Sequence, residues 1–65
     1  MSEIVDEYFG DGDHQGRSAI IYKDAVGYFV EFLENGLSIE QRELSEYSLR
    51  YAEDTAENWI TGIIP

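Results

Sequence analysis

The spacing of hydrophobic positions changes along the chain, and this change predicts the order of the elements. Two runs rich in β-branched and aromatic residues, 19–23 and 28–33, are typical of strands. The turn between them ends in glycine, at a position that often requires a positive φ. Asn35-Gly36 then predicts a tight hairpin, because both residues tolerate the positive φ of a type I′ turn. A third strand from Leu37 to about Leu44 is expected to return antiparallel.

The last part of the chain has the spacing of a helix. Its apolar residues recur every three or four positions and so form one stripe: Leu49, Ala52, Ala56, Trp59, Ile60 and Ile63. Ser45 or Ser48 is placed to cap the start, and Gly62 stands where a left-handed residue would end the helix. Trp59 is expected in the core, with its N–H bonded to a nearby carbonyl. The predicted fold is α+β, a three-stranded antiparallel β-meander packed by one C-terminal α-helix (βββα).

The beginning of the chain has no clear period. Residues 4–9 are largely apolar and are interpreted as a short strand or helical turn that docks on the rest. Residues 10–17 contain several glycines and are interpreted as a mobile loop. The predicted organisation is therefore an acidic N-terminal segment with a glycine-rich loop over residues 1–17, followed by a βββα domain over residues 18–65.

The alternation of side chains along each strand assigns residues to the two faces of the sheet. A two-residue Asn35-Gly36 turn places Phe32 opposite Ile39, and it also places Glu31 opposite Glu40. The two glutamates form an unfavourable pair, which a bulge or slip would relieve. In this register, the face that receives the helix carries Ala19, Ile21, Val30, Phe32 and Ile39.

Pairing Lys23 with Tyr28 leaves large apolar side chains on the opposite face, which a single helix cannot also cover. Fully burying such a side chain is worth about 1.5–3 kcal/mol, a large fraction of the stability of a small domain. Either the N-terminal segment folds over this face or another chain does. We expect a second chain, with the N-terminal segment contributing to a homodimer. The predicted interface consists of Ile20, Tyr22, Phe29, Leu33, Tyr8 and Phe9.

The charge of the chain excludes several classes of partner. The 65 residues include fourteen acidic and four basic side chains, giving a formal charge of −10. So few cations predict no direct binding of nucleic acid or of anionic membranes. The apolar runs are too short to span a bilayer, and the acidic start lacks the basic region of a secretory signal. We therefore expect a cytoplasmic protein, located in the host cytoplasm if the gene is viral.

The sequence contains no complete motif for binding a metal ion or a cofactor. The absence of cysteine excludes disulfides and Cys-based zinc sites. Residues 11–16 resemble the opening of a calcium loop, but the fifth and twelfth ligand positions hold Gln15 and Tyr22. His14 lies in the same glycine-rich loop, which is not expected to hold catalytic geometry. No cofactor is expected.

One carboxylate pair is a further candidate for catalysis. Glu53 and Glu57 are four residues apart on the predicted helix, a spacing that can serve acid–base chemistry. Such a pair on the polar face of an amphipathic helix is usually solvated. We expect a protein that is not an enzyme, unless a dimer brings Glu53, Glu57 or His14 together across a cleft.

The order of elements resembles the N-terminal βββα domain of HicB-like antitoxins. Asp24-Ala25-Val26-Gly27-Tyr28 is similar to the hairpin of that family, and Ser48-Leu49 with Ala52 and Ala56 is similar to its helix opening. The similarity covers roughly residues 19–60. It implies a protein that neutralises a toxin.

A looser resemblance links residues 51–59 to small acidic proteins of marine cyanobacteria and their phages. The function expected from the residues is a non-catalytic protein-interaction module that self-associates. An alternative is a neutraliser whose carboxylates oppose the surface of a basic toxin or enzyme. A further alternative is a DNA mimic, which predicts an acidic surface on one side of the molecule.

Overall fold

A computed structural model describes residues 2–63; residues 1, 64 and 65 of the two predicted segments lie outside the described part. Within it, an antiparallel sheet has the strand order β1-β2-β3-β4. The α+β class, with an antiparallel sheet and one C-terminal helix, is confirmed. The elements are β1 (Glu3–Phe9), a 3₁₀ turn (Gly12–His14), β2 (Arg17–Lys23), β3 (Tyr28–Glu34), β4 (Leu37–Leu44) and α1 (Leu49–Ile60).

The prediction of three strands is wrong, because the sheet has a fourth. β1 pairs antiparallel with β2, and Tyr8 lies opposite Ala19. The register shifts between Ile4 and Asp6, which marks a bulge at Val5. Pairing with β2 satisfies the main-chain groups of a strand that would otherwise form the exposed edge of the sheet. Strand β1 therefore extends the sheet sideways and does not fold over a face.

The two predicted turns form as expected. The β2–β3 register places Ile21 opposite Val30, and this prediction is confirmed. Gly27 at the end of the first turn has a φ of 152°. In the second turn, Asn35 and Gly36 have φ values of 54° and 83°, the positive values that a type I′ hairpin requires.

The predicted register of β3 with β4 holds next to the turn, where Leu33 lies opposite Ser38, but it is wrong from Phe32 onward. Phe32 lies opposite Glu40 and not Ile39, because the register shifts between Phe32 and Leu33. The bulge removes the unfavourable glutamate pair, since Glu31 now lies opposite Gln41. Ile39, expected on the helix-bearing face, is instead 53% exposed.

The helix has a defined start and end. Of the two candidate caps it is Ser48 whose hydroxyl oxygen accepts the main-chain N–H of Tyr51. At the other end, Gly62 has a φ of 81°, and the N–H of Ile63 donates to the carbonyl of Asn58 over 2.9 Å. This is the hydrogen bond of a Schellman motif, which turns the chain away and leaves Ile63 exposed.

The core lies between α1 and one face of the sheet. The Trp59 ring stacks on Phe32 with centroids 4.9 Å apart, and its indole N–H donates to the carbonyl of Ser18 over 3.0 Å. The core position predicted for Trp59 and its bond to a carbonyl are therefore confirmed. The buried residues are Ala19, Ile21, Val30, Phe32, Leu44, Ala52, Ala56 and Trp59.

Candidate interaction surface

The face of the sheet turned away from α1, here called the open face, presents rows of side chains that run across the strands. The described helix packs on the opposite face, and residues 2–63 supply no second layer here. The strand pairings define an upper row of Ile4, Tyr22, Phe29 and Glu43; a middle row of Glu7, Ile20, Glu31 and Gln41; and a lower row of Phe9, Ser18, Leu33 and Ser38.

Most of the residues predicted for the interface share this face. Ile20, Tyr22, Phe29 and Leu33 occupy the two inner strands and are only partly buried. Phe9 extends the face onto β1, where its side chain is 71% exposed. These five side chains form an apolar surface that α1 does not cover.

Tyr8 lies on the other face, where it packs against the core cluster. Burial raises its pKa to about 12, and the charges of Asp6, Glu53 and Glu57 and a hydrogen bond with Asp6 contribute. Because Tyr8 and Phe9 are neighbours in one strand, alternation points them to opposite sides. Tyr8 therefore does not belong to the open face.

The open face also contains residues that were not among the predicted interface residues. Ile4 lies opposite Tyr22 and is 55% exposed, so it continues the apolar upper row. Glu7 and Glu31 lie on either side of Ile20 in the middle row. Alternation from Phe29 is sufficient to place Glu31 on this face. The positions of Ile4 and Glu7 on the same face follow only from the pairing of β1 with β2.

Glu31 is held in place near the middle of the open face. The Tyr22 hydroxyl donates to Glu31 Oε1 over 3.1 Å, and Gln41 Nε2 donates to Oε2 over 3.4 Å. The Tyr22 ring stacks on Phe29 with centroids 4.9 Å apart and planes 12° from parallel. Burial raises the pKa of Tyr22, and the hydrogen bond and charge of Glu31 and the charge of Glu7 add to the increase. The carboxylate and the aromatic rings thus form one connected group.

The charged side chains of the open face are all acidic. Its rows contain Glu7, Glu31 and Glu43, and in the described strands they contain no Lys or Arg. The basic side chains of the sheet instead lie over aromatic rings on the helix-bearing side: Arg17 over Trp59 at 4.1 Å, Lys23 over Tyr28 at 5.5 Å and Arg42 over Phe32 at 5.1 Å. The apolar surface and the positive charges of the sheet are therefore on opposite sides.

The loop residues considered for metal or acid–base chemistry do not form a metal centre. Residues 2–63 contain no group of three or more His, Cys, Asp or Glu side chains that could hold a metal ion. The His14 ring packs so closely on Gly62 that a Cβ at that glycine would clash with it. His14 is thus a contact between the glycine-rich loop and the end of α1.

The carboxylate pair on α1 lies apart from the open face. Glu53 is partly buried and Glu57 is exposed, and both act electrostatically on Tyr8.

A separate shallow depression beside the β2–β3 turn, lined by Asp24 and Phe29 among others, has a volume of only about 10 Å³. This volume is about what one water molecule needs.

Comparison of the chain with protein-family models, with curated proteins and with solved structures gives no match. In the part of the chain that the structure describes, no helix is long and apolar enough to cross a membrane. The interpretation of the open face therefore depends on its own chemistry.

Proposed function

We propose that this protein is a non-catalytic protein-interaction module that binds a partner protein through the open face. The observation that carries the proposal is an apolar sheet face for which residues 2–63 provide no covering layer. Large exposed apolar patches on small soluble domains commonly mark binding surfaces.

The side chains at the edge of this face have the most to gain from a partner. Phe9 is 71% exposed and Ile4 is 55% exposed, while the inner Phe29 and Leu33 are partly buried by their neighbours. Removing apolar surface from water is worth about 25 cal/mol per Å², so covering these side chains together favours association. The strands hold them in place before binding, which limits the entropy lost on association.

The sequence predicts that a second copy of the chain covers the open face. This self-association remains a proposal, and the charges of the face oppose it. A two-fold dimer through this face brings the same surface of both copies together. Glu31 lies near the middle of the face, so each copy would approach the carboxylate of the other. In the described strands this face carries no Lys or Arg to compensate, and like charges that meet in an interface are unfavourable.

The carboxylates of the open face favour a partner with a basic surface. This agrees with the alternative of a neutraliser of a basic toxin or enzyme. The DNA mimic requires acidic groups concentrated on one side. Carboxylates here occur on the open face at Glu31, on the helix at Glu57 and in the loop at Asp13, so their distribution gives that alternative no support.

The experiment is site-specific photo-cross-linking in cells that express the protein naturally. A benzoyl-phenylalanine replaces Phe9 in one variant and Leu37 in the matched variant. Both positions are 71% exposed and lie at strand ends, but Leu37 pairs with Glu34 on the helix-bearing side. We expect a discrete adduct from position 9 and little or none from position 37.

Two outcomes would contradict the proposed function. Equal adducts from both positions would indicate random encounters, and adducts from position 37 alone would place the interaction on another surface. Thermal unfolding of both variants establishes that each one folds before the adducts are compared.

A further inference from the structure

We infer that the partner inserts an arginine side chain into the open face, where its guanidinium pairs with Glu31 between apolar contacts. This inference rests on the proposed function and specifies the chemistry of the partner. It follows from the position of Glu31, from a comparable cluster on the other face and from the charge of the surface.

The first argument is that Glu31 is fixed but retains the capacity to bind. Tyr22 and Gln41 each donate one hydrogen bond, to Oε1 and Oε2 respectively. An ionised carboxylate has about four acceptor sites, so capacity remains for a bidentate guanidinium. Because the carboxylate is already oriented, a cation that binds it loses less entropy than it would on a free side chain.

The second argument is that the helix-bearing face of the same sheet already contains the complete arrangement. There Arg42 lies over the Phe32 ring and forms an ion pair with Glu40, the residue opposite Phe32. The open face combines an aromatic ring, Tyr22, with a carboxylate, Glu31, and its rows supply no cation. An arginine from a partner would complete the same combination of ring stacking and ion pairing.

The third argument is the charge around the site. Glu7 lies at the end of the row that contains Glu31, Glu43 lies at the end of the adjacent upper row, and the whole chain has a formal charge of −10. This field attracts basic surfaces and accelerates their encounter with the face. It also selects against a second copy of this chain, which is equally acidic.

The test uses a defined probe, a fluorescent peptide of alternating arginine and leucine. The matched peptide replaces arginine with citrulline, which keeps the shape but removes the charge. Fluorescence anisotropy measures the affinity of each peptide for the full chain. We expect the citrulline peptide to bind at least about tenfold more weakly, because it loses a charge-assisted pair with Glu31.

The variant Glu31→Gln tests the position of the pair, and Glu57→Gln on the exposed surface of α1 is its control. Both variants remove one negative charge, so a general attraction to the acidic chain would weaken equally in both. We expect Glu31→Gln to lower the affinity for the arginine peptide about tenfold and Glu57→Gln to change this affinity less than about twofold. Glutamine can still accept the Tyr22 hydroxyl, and thermal unfolding checks that the fold is retained.

The outcomes separate this inference from the proposed function. If both peptides bind the open face with equal affinity, the face is a docking surface but the arginine pair is wrong. If neither peptide binds there and the photo-cross-links from position 9 are also absent, both proposals fail. If Glu31→Gln and Glu57→Gln weaken binding equally, the attraction is not localised at Glu31, and the inference is overturned. If sedimentation shows a stable homodimer with this face buried, the occupant is a second copy, which also overturns it.

Discussion

The Tyr22 hydroxyl on β2 donates a hydrogen bond to the carboxylate of Glu31 on β3, over 3.1 Å. The two residues belong to adjacent rows of the open face, since Tyr22 lies opposite Phe29 and Glu31 opposite Ile20. The bond therefore runs diagonally and connects the aromatic part of the face with its central charge. A surface with a fixed charge among apolar side chains is prepared for a partner before binding.

Tyr22→Phe removes this hydroxyl and retains the stacking on Phe29. We expect a loss of less than about 1 kcal/mol in the free energy of unfolding, because the bond is only partly buried. Binding of the arginine peptide should weaken by roughly 0.5–1.5 kcal/mol, the cost of immobilising a released side chain. Urea unfolding and fluorescence anisotropy measure the two effects. Unchanged affinity would show that orientation of Glu31 by Tyr22 has no role.

The high pKa of Tyr8 predicts a decrease in stability in alkaline solution. Its value is about 12 in the folded chain against an ordinary 10.0, so the folded state holds this proton more tightly than the unfolded state. The resulting stabilisation is complete below pH 10 and is lost as the pH rises from 10 to about 12. Urea unfolding at several pH values should show this decrease.

Tyr8→Phe removes the titrating group and should make the decrease shallower. Tyr51→Phe, at an exposed ring on α1, is the control and should retain it. An equally steep decrease of stability with pH in Tyr8→Phe would contradict the assignment of this decrease to the Tyr8 hydroxyl.

The two glycine turns differ in the space around them. A Cβ at Gly27 would lie 2.8 Å from the Cα of Ser45, whereas nothing lies within 4 Å of a Cβ at Gly36. Both residues have positive φ, so both Gly→Ala changes introduce backbone strain. We expect Gly27→Ala to cost at least about 1 kcal/mol more than Gly36→Ala, because only Gly27→Ala adds a steric clash. Equal unfolding midpoints in urea would contradict the close packing of this turn against Ser45.

Removal of the central charge should increase self-association. Glu31→Gln eliminates the repulsion that opposes the pairing of two open faces, while the apolar side chains remain. At equal protein concentration, sedimentation should show a larger dimer fraction for Glu31→Gln than for the unmodified protein, and Glu57→Gln should show no increase. A smaller dimer fraction in Glu31→Gln would indicate that Glu31 stabilises a dimer and does not oppose it.

Local patterns were sufficient to predict the centre of the sheet. The turn before Tyr28 and the alternation of β2 and β3 placed Ile20, Tyr22, Phe29 and Leu33 on one face, which the structure confirms. These predictions succeeded because the turn connects neighbouring strands directly and fixes their register.

The edges of the sheet depended on interactions that local patterns do not encode. The acidic side chains of β1 and its bulge at Val5 interrupt the alternation, so the sequence does not reveal its pairing with β2. The sequence therefore could not show that Tyr8, one of the predicted interface residues, lies on the helix-bearing side. In β4, the bulge at Ile39 shifted the register by one residue. The unfavourable pairing of Glu31 with Glu40 indicated this bulge but did not locate it.

Methyl NMR during titration with the arginine peptide shows directly which surface binds. The reporters on the open face are Ile4, Ile20 and Leu33; the reporters elsewhere are Leu37 and Ile63, both 71% exposed. We predict that the methyl signals of Ile4, Ile20 and Leu33 shift with a common saturation curve while those of Leu37 and Ile63 stay unchanged. Shifts at Leu37 or Ile63 without shifts at Ile20 and Leu33 would contradict binding through the open face.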